Sequence, residues 1–323
     1  MPDLPLSPDI DADRFPVHRF EGRGFGQAYV RVGEGGVPLL LVHGWPESKR
    51  IWWRVIEPLA DAGFDVIVPD LRGFGDSDVG PDGFHDVPAH VRDLHALLVD
   101  GLGIEQVVLC GGDLGGPIVQ MLALDHPTLT LRLVLFNSPL PFDKQRMAGM
   151  ASRPPAEAAD YFIRQGMDAD GLAADLTTAA QRRRYIATFY TSRFWAHPGA
   201  FMGDAAVVFG PFGGTPQVDF HTEPFGDASK LRASFGGYES VFDPSRQSGT
   251  THLARNEQVR ALLLFGTADH VIYPAFDEMA AVVFPDHDGP HRLDRCGHFV
   301  PWEAPTELVA HVRRFCSDLL LDG

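Results

Sequence analysis

The stretch Val107-Val108-Leu109-Cys110-Gly111-Gly112-Asp113-Leu114-Gly115-Gly116-Pro117 decides how this 323-residue chain is read. An apolar run ends in two glycines, one polar residue follows, and a second glycine pair opens a helix-like segment over 114–125. That is the pattern of a strand passing through a sharp, strained turn into a helix, with Asp113 at the tip. The glycines have a steric reason: side chains at Gly111, Gly115 or Gly116 would crowd the adjoining strand and helix. A carboxylate so placed faces the free N–H groups that begin the helix, and these favour negative charge. Its chemistry also differs from that of a hydroxyl. Serine at such a tip gives an acyl-enzyme, whereas a carboxylate attacks saturated carbon and becomes an alkyl ester itself. Taken alone, the segment also fits an ordinary turn carboxylate.

Outward from this turn the first half of the chain alternates. Short apolar runs at 39–42, 66–68, 107–110 and 133–136 are separated by helix-like stretches at 52–62, 87–102 and 114–125. Runs with little polar alternation, joined by helices, predict an α/β fold: a mostly parallel, twisted sheet with helices on both faces. An opening antiparallel hairpin is predicted over 20–33, broken by Gly22, Gly24 and Gly26. The alternation returns late, with a strand at 261–265, a helix at 275–284, a strand near His291 and a final helix over 305–320. Between 139 and 246 it stops. That segment is rich in aromatics, and Tyr185/Phe189 and Ile186/Tyr190 recur at helical spacing. The chain therefore divides into an α/β core built from 1–138 and 247–323 and an inserted, mainly helical cap over 139–246.

Further motifs fall at predicted strand ends. His43-Gly44-Trp45-Pro46 follows the run at 39–42, and Asp70-Leu71-Arg72-Gly73-Phe74-Gly75-Asp76-Ser77 follows the run at 66–68. Asp269 lies just past 261–265, in Leu264-Phe265-Gly266-Thr267-Ala268-Asp269. His298 lies in Arg295-Cys296-Gly297-His298-Phe299-Val300-Pro301-Trp302-Glu303, beyond the last strand. Nucleophile, acid, histidine is a known chain order for a catalytic triad on one fold. Together these segments resemble the α/β-hydrolase fold family, and within it the aspartate-nucleophile branch of epoxide hydrolases and haloalkane or haloacetate dehalogenases.

By that resemblance Asp113 is the nucleophile, His298 the base that activates water, and Asp269 the acid that orients His298. Some relatives carry the acid after the sixth strand, but Asn137 occupies that place here. The oxyanion donors are the backbone N–H groups of Trp45 and Leu114, and the substrate wall is assigned to Trp45, Leu114, Trp195 and Phe299. Leu114 stands where haloalkane dehalogenases usually have Trp and haloacetate dehalogenases Arg, and it offers neither group a side-chain donor. The segment from Leu231 to Glu239 resembles the cap stretch that carries a ring-opening tyrosine, here Tyr238, although Gly237 and Glu239 depart from its usual residues. Tyr161 is the nearest second candidate. These features favour an epoxide hydrolase that takes a small apolar epoxide and water and needs no cofactor. The alternatives are a dehalogenase with the same triad and a halide pocket around Trp45, or a non-catalytic binding protein on the same scaffold.

Composition narrows the remaining classes. With 45% hydrophobic and 22% charged residues the chain is an ordinary globular protein, long enough to bury roughly three quarters of its unfolded surface. Its 27 Lys+Arg against 43 Asp+Glu give a net charge of −16, which repels nucleic acid and anionic membranes. Cys110, Cys296 and Cys316 are odd in number and far apart, and the N-terminus lacks a signal-peptide pattern, so a cytoplasmic location is expected. His85, His90 and His95 recur every five residues, each turned about 140° from the last on a helix, so no metal site is expected there.

Overall fold

A computed structural model describes residues 8–153, 156–201 and 215–320. Its eight strands form one sheet in the order β1-β2-β4-β3-β5-β6-β7-β8. They are β1 (His18–Gly22), β2 (Phe25–Val32), β3 (Val37–Val42), β4 (Phe64–Pro69), β5 (Val107–Gly112), β6 (Thr130–Phe136), β7 (Ala261–Gly266) and β8 (His287–Leu293). The β1–β2 and β2–β4 pairs are antiparallel and all the others parallel. Strand composition follows position in the sheet. Every residue of the inner strands β4, β5 and β7 is buried, whereas the edge strands β1 and β8 carry most of the polar residues. The opening hairpin turns at Arg23 and Gly24, both with positive φ.

The helices are α1 (Ile56–Ala60), α2 (Val87–Ala96), α3 (Gly115–Asp125), α4 (Ala156–Met167), α5 (Ala169–Asp175), α6 (Ala179–Tyr190), α7 (Pro216–Thr222), α8 (Ala228–Ser234), α9 (Gly236–Phe242), α10 (Phe276–Val283), α11 (Val300–Glu303), α12 (Pro305–Phe315) and α13 (Ser317–Leu320). Helices α4 to α9 lie between β6 and β7 in the chain.

Two segments differ from the sequence expectation. The stretch expected as one helix over 52–62 is a 3-10 turn at Lys49–Trp52 followed by the short α1, and the expected helix over 305–320 breaks at Cys316. In the first, the apolar residues serve the core without sustaining one helix face: Ile51, Trp52, Trp53, Val55 and Ile56 are all buried, in an almost unbroken apolar run.

This topology gathers the motifs. Parallel strands deliver their C-terminal ends to one edge, so His43, Asp70, Asp113, Asn137, Asp269 and His298 all lie in loops leaving the C-terminal ends of β3 to β8. No described helix is long and apolar enough to cross a membrane.

Candidate active site

Asp113 occupies the turn between β5 and α3 with φ 44°, a left-handed conformation that non-glycine residues rarely adopt. Its backbone is pinned by Asp113 N–H donating to Asn137 O (2.9 Å) and Gly116 N–H donating to Asp113 O (3.1 Å). The expected glycine sterics hold. A Cβ on Gly111 would lie 2.8 Å from Gly115 O, one on Gly115 would strike the carbonyl of Val42, and one on Gly116 would strike Ser138. Gly44 belongs to the same set, because a Cβ there would come within 2.5 Å of Asp113 Cβ. Only glycine lets the loop after β3 pass this close to the carboxylate.

That loop donates the Trp45 N–H to Asp113 Oδ1 at 2.7 Å. His43 holds it in place: buried and kept neutral chiefly by desolvation, its imidazole bonds Gly44 O through Nδ1 (2.8 Å) and accepts Leu71 N–H at Nε2 (3.0 Å). The Trp45–Pro46 peptide is cis. Leu114, at the N-cap of α3, makes no hydrogen bond to the Asp113 carboxylate among the described residues.

His298 reaches the other carboxylate oxygen. Its Nε2 is 3.2 Å from Asp113 Oδ2 but out of line for a hydrogen bond, and its Nδ1 bonds Asp269 Oδ2 at 2.8 Å. Asp269 is itself oriented, since its Oδ1 accepts the N–H groups of Val271 (2.6 Å) and Ile272 (3.2 Å). The carboxylate thus caps a local turn with one oxygen and serves His298 with the other. Burial disfavours the imidazolium, yet the carboxylates of Asp269 and Asp113 outweigh it and hold the His298 pKa well above the ordinary histidine value.

Tyr161 on α4 and Tyr238 on α9 meet above this group with ring centroids 5.7 Å apart. Both pack on Trp45, Tyr161 stacked at 5.5 Å and Tyr238 edge-on at 5.4 Å. Burial first, then the Asp113 charge, raises the Tyr161 phenol well above its usual range, with the Tyr238 hydroxyl pulling the other way. Burial, Tyr161 and Asp113 raise Tyr238 likewise, so both stay protonated donors.

Exposure separates the residues expected to line the substrate site. The Asp113 side chain keeps 12% of its surface exposed, and Leu114, Tyr161 and Tyr238 are half-buried. Trp45, Trp195 and Phe299 are only 0%, 2% and 0% exposed. Trp195 packs edge-on against His298 at 4.7 Å, and Phe299 stacks on Tyr190 at 4.7 Å. Cavities of about 290 and 180 Å³ include none of Asp113, Asp269, His298, Tyr161 and Tyr238 in their walls, and Tyr190 lines the smaller one. Among the described residues no group of three or more His, Cys, Asp or Glu is placed to hold a metal ion.

Three polar residues, Glu47 and Asn137 buried and Glu303 half-buried, escaped the sequence reading. Glu47 accepts Gly44 N–H (2.5 Å), and burial, with the Asp113 charge nearby, pushes its carboxyl up to about 7. Glu303 accepts the N–H groups on both sides of His298, from Gly297 (2.8 Å) and Phe299 (3.0 Å), and also that of His197 (2.8 Å). Asn137, noted only as a missing acid, joins the end of β7 to the loop after β8: its Nδ2 donates to Gly297 O (2.9 Å) and its Oδ1 accepts Gly266 N–H (3.0 Å). Adjacency was the available signal, since Glu47 follows Pro46 directly and Glu303 lies in the same short motif as His298.

Comparison with known proteins identifies the family. A family profile described as alpha/beta hydrolase fold matches residues 37–305. The chain is 40% identical over 309 residues to a soluble epoxide hydrolase of Corynebacterium sp. (strain C12), covering 94% of this chain and 97% of that protein. It is 26% identical to bifunctional epoxide hydrolase 2 of Sus scrofa over 87% of its own length, and spans about half (51%) of that longer protein. The solved structure of the epoxide hydrolase CorEH without ligand superposes with a TM-score of 0.75 at 25% identity, covering 94% of this chain and 99% of that one. The chain thus belongs to the α/β-hydrolase fold family and, within it, to the epoxide hydrolases.

Proposed function

We propose that this protein converts an epoxide to a vicinal diol through an alkyl ester on Asp113, with residues 139–246 acting as a cap over the reacting atoms. The observation that carries this reading is the placement of one carboxylate between the Trp45 N–H at 2.7 Å and His298 Nε2 at 3.2 Å, opposite two protonated phenols. In the first half-reaction Asp113 Oδ2 attacks a ring carbon and the C–O bond opens, while Tyr238 or Tyr161 gives its proton to the leaving oxygen. Tyr238 and Tyr161 serve as acids here, because burial keeps both phenols protonated.

Ester formation also changes the base. In the resting enzyme the Asp113 charge helps hold His298 as imidazolium, and the ester removes that charge. The imidazolium proton then returns to the phenolate, which leaves a neutral imidazole backed by Asp269. In the second half-reaction His298 takes a proton from water, the hydroxide attacks the Asp113 carbonyl carbon, and the oxyanion forms at the Trp45 N–H and, in this reading, the Leu114 N–H. Collapse releases the diol, and the remaining water proton goes to its oxygen. Asp113 returns as carboxylate and His298 as imidazolium, so the cycle closes with water and side chains alone.

The dehalogenase alternative draws less support. Its halide pocket would need the Trp45 indole, whose Nε1–H is already donated to Ser234 Oγ at 3.2 Å, and Leu114 adds no donor. A single turnover with excess enzyme in ¹⁸O-water tests the proposal. Unlabelled diol with label in the Asp113 carboxylate is expected; labelled diol would mean that water attacks the epoxide directly and would overturn it.

A further inference from the structure

The donor that would hold the oxyanion is the backbone N–H of Trp45, and what fixes its loop from outside the sheet comes from the inserted helices. Tyr190, near the end of α6, donates its hydroxyl to Pro46 O at 2.6 Å, one residue from that donor. The ring cannot swing away, because it is stacked between Phe299 at 4.7 Å and His221 at 5.2 Å, and the residue is only 2% exposed. Ser234, on α8, holds the other side of the loop. Its hydroxyl proton goes to Leu231 O (2.7 Å), which leaves the oxygen to accept Trp45 Nε1–H at 3.2 Å. Indole is a donor only, so this is the one polarity in which the pair can meet.

From this geometry we infer that Tyr190 and Ser234 are positioning residues that set the oxyanion donor, and that they serve ester hydrolysis rather than ester formation. The inference rests on the two-step reading above. Its direction follows from where charge sits. Trp45 N–H bonds the resting Asp113 carboxylate, whose charge is dispersed during attack on the epoxide, so loosening the donor does not oppose that step. In hydrolysis negative charge develops on the same oxygen, and a displaced donor costs rate directly. Complete removal of such a donor typically costs about 100- to 1,000-fold, so a loosened one is expected to cost about tenfold.

The test uses Tyr190→Phe, Ser234→Ala and Ser234→Thr in the full chain. Rapid-quench intact-mass measurement follows growth and decay of the Asp113 ester, using whichever of styrene oxide, cyclohexene oxide and epichlorohydrin the wild type turns over fastest. Tyr190→Phe should slow ester decay about tenfold with ester formation within about twofold of wild type, and Ser234→Ala, which also frees the indole beneath Tyr161 and Tyr238, should slow decay more than formation, so that ester accumulates in the steady state in both. Ser234→Thr, which keeps the acceptor oxygen, should restore the decay rate. Equal slowing of both steps, or no change in either, overturns the inference and leaves the two-step reading intact. Absence of any Asp113 ester in wild type and in His298→Ala with all these probes overturns that reading and the inference together.

Discussion

The proposed cycle makes Asp113 a free nucleophile in one half and an electrophilic ester in the other, and its neighbours divide along that line. One oxygen rests on the Trp45 N–H, while the other lies beside His298 without an aligned hydrogen bond, so it is positioned but not consumed. The coupling runs both ways, because the same carboxylate helps hold His298 charged. A histidine whose folded pKa is raised contributes stability that is fully present below its unfolded value near 6.5 and is lost as pH rises through the folded value. Asp113→Asn removes part of the cause. The His298 imidazole, followed by NMR, should therefore titrate at lower pH in the variant than in wild type. Denaturant unfolding between pH 6 and pH 9 should reveal a loss of stability in wild type that the variant lacks in part. Identical His298 titration in the two proteins would remove the electrostatic link between the half-reactions.

The loops that carry these side chains are anchored by buried charge. After β4, Asp70 is fully buried, bonds Lys49 Nζ at 2.6 Å, and accepts the N–H groups of Lys49 and Asp76 at 2.8 Å. Lys49 Nζ also bonds Asp76, which ties the start of the turn after β3 to the glycine-rich turn after β4. The neighbouring Arg72, equally buried, bonds Asp93 on α2 through Nε and, at 2.7 Å, through Nη2. Such pairs add little net stability over an apolar replacement of both partners, but losing one partner strands a charge. Lys49→Met should thus lower unfolding stability by about 3–5 kcal/mol in urea titrations at neutral pH, and Asp70→Asn in the same background should recover part of it. A Lys49→Met protein as stable as wild type would mean that Asp70 is held by its backbone donors alone.

The sequence and the folded chain agree best where periodicity and sterics act locally. The turn at Asp113 was legible because glycines at 111, 115 and 116 leave a mark that only close backbone approach explains. The parallel strands were legible because burial on both faces demands unbroken apolar runs. Less legible were contacts between segments far apart in sequence. Glu303 under the His298 loop, Asn137 between β7 and that loop, and Tyr190 against Pro46 each depend on loops converging from separate strands, and a linear chain does not encode that convergence in spacing. Trp45, Trp195 and Phe299, expected to line the substrate site, are 0%, 2% and 0% exposed, a burial that their places in the sequence do not encode.

Those long-range contacts also join the inserted helices to the sheet. Trp195 O accepts His298 N–H at 2.6 Å, Phe194 O accepts His270 N–H at 2.9 Å, His197 N–H donates to Glu303, and Arg50 donates to Phe220 O at 2.8 Å. The segment between β6 and β7 therefore meets three of the loops that build the site, and its loss would free each of them. One cooperative transition is expected, with tryptophan fluorescence, to which Trp45 and Trp195 at the junction contribute alongside Trp52, Trp53 and Trp302, and far-UV circular dichroism giving the same denaturant midpoint. A fluorescence change that precedes loss of secondary structure would identify the insert as an independently melting unit.

The central claim is that Asp113 forms a bond to the carbon of its substrate, and intact-mass analysis of His298→Ala mixed with epoxides tests it most directly. The account predicts a stable adduct whose added mass equals that of the epoxide, mapped by peptide analysis to Asp113 and absent in His298→Ala/Asp113→Asn. Diol production by wild type with no adduct in His298→Ala, or an adduct on any other side chain, would contradict it.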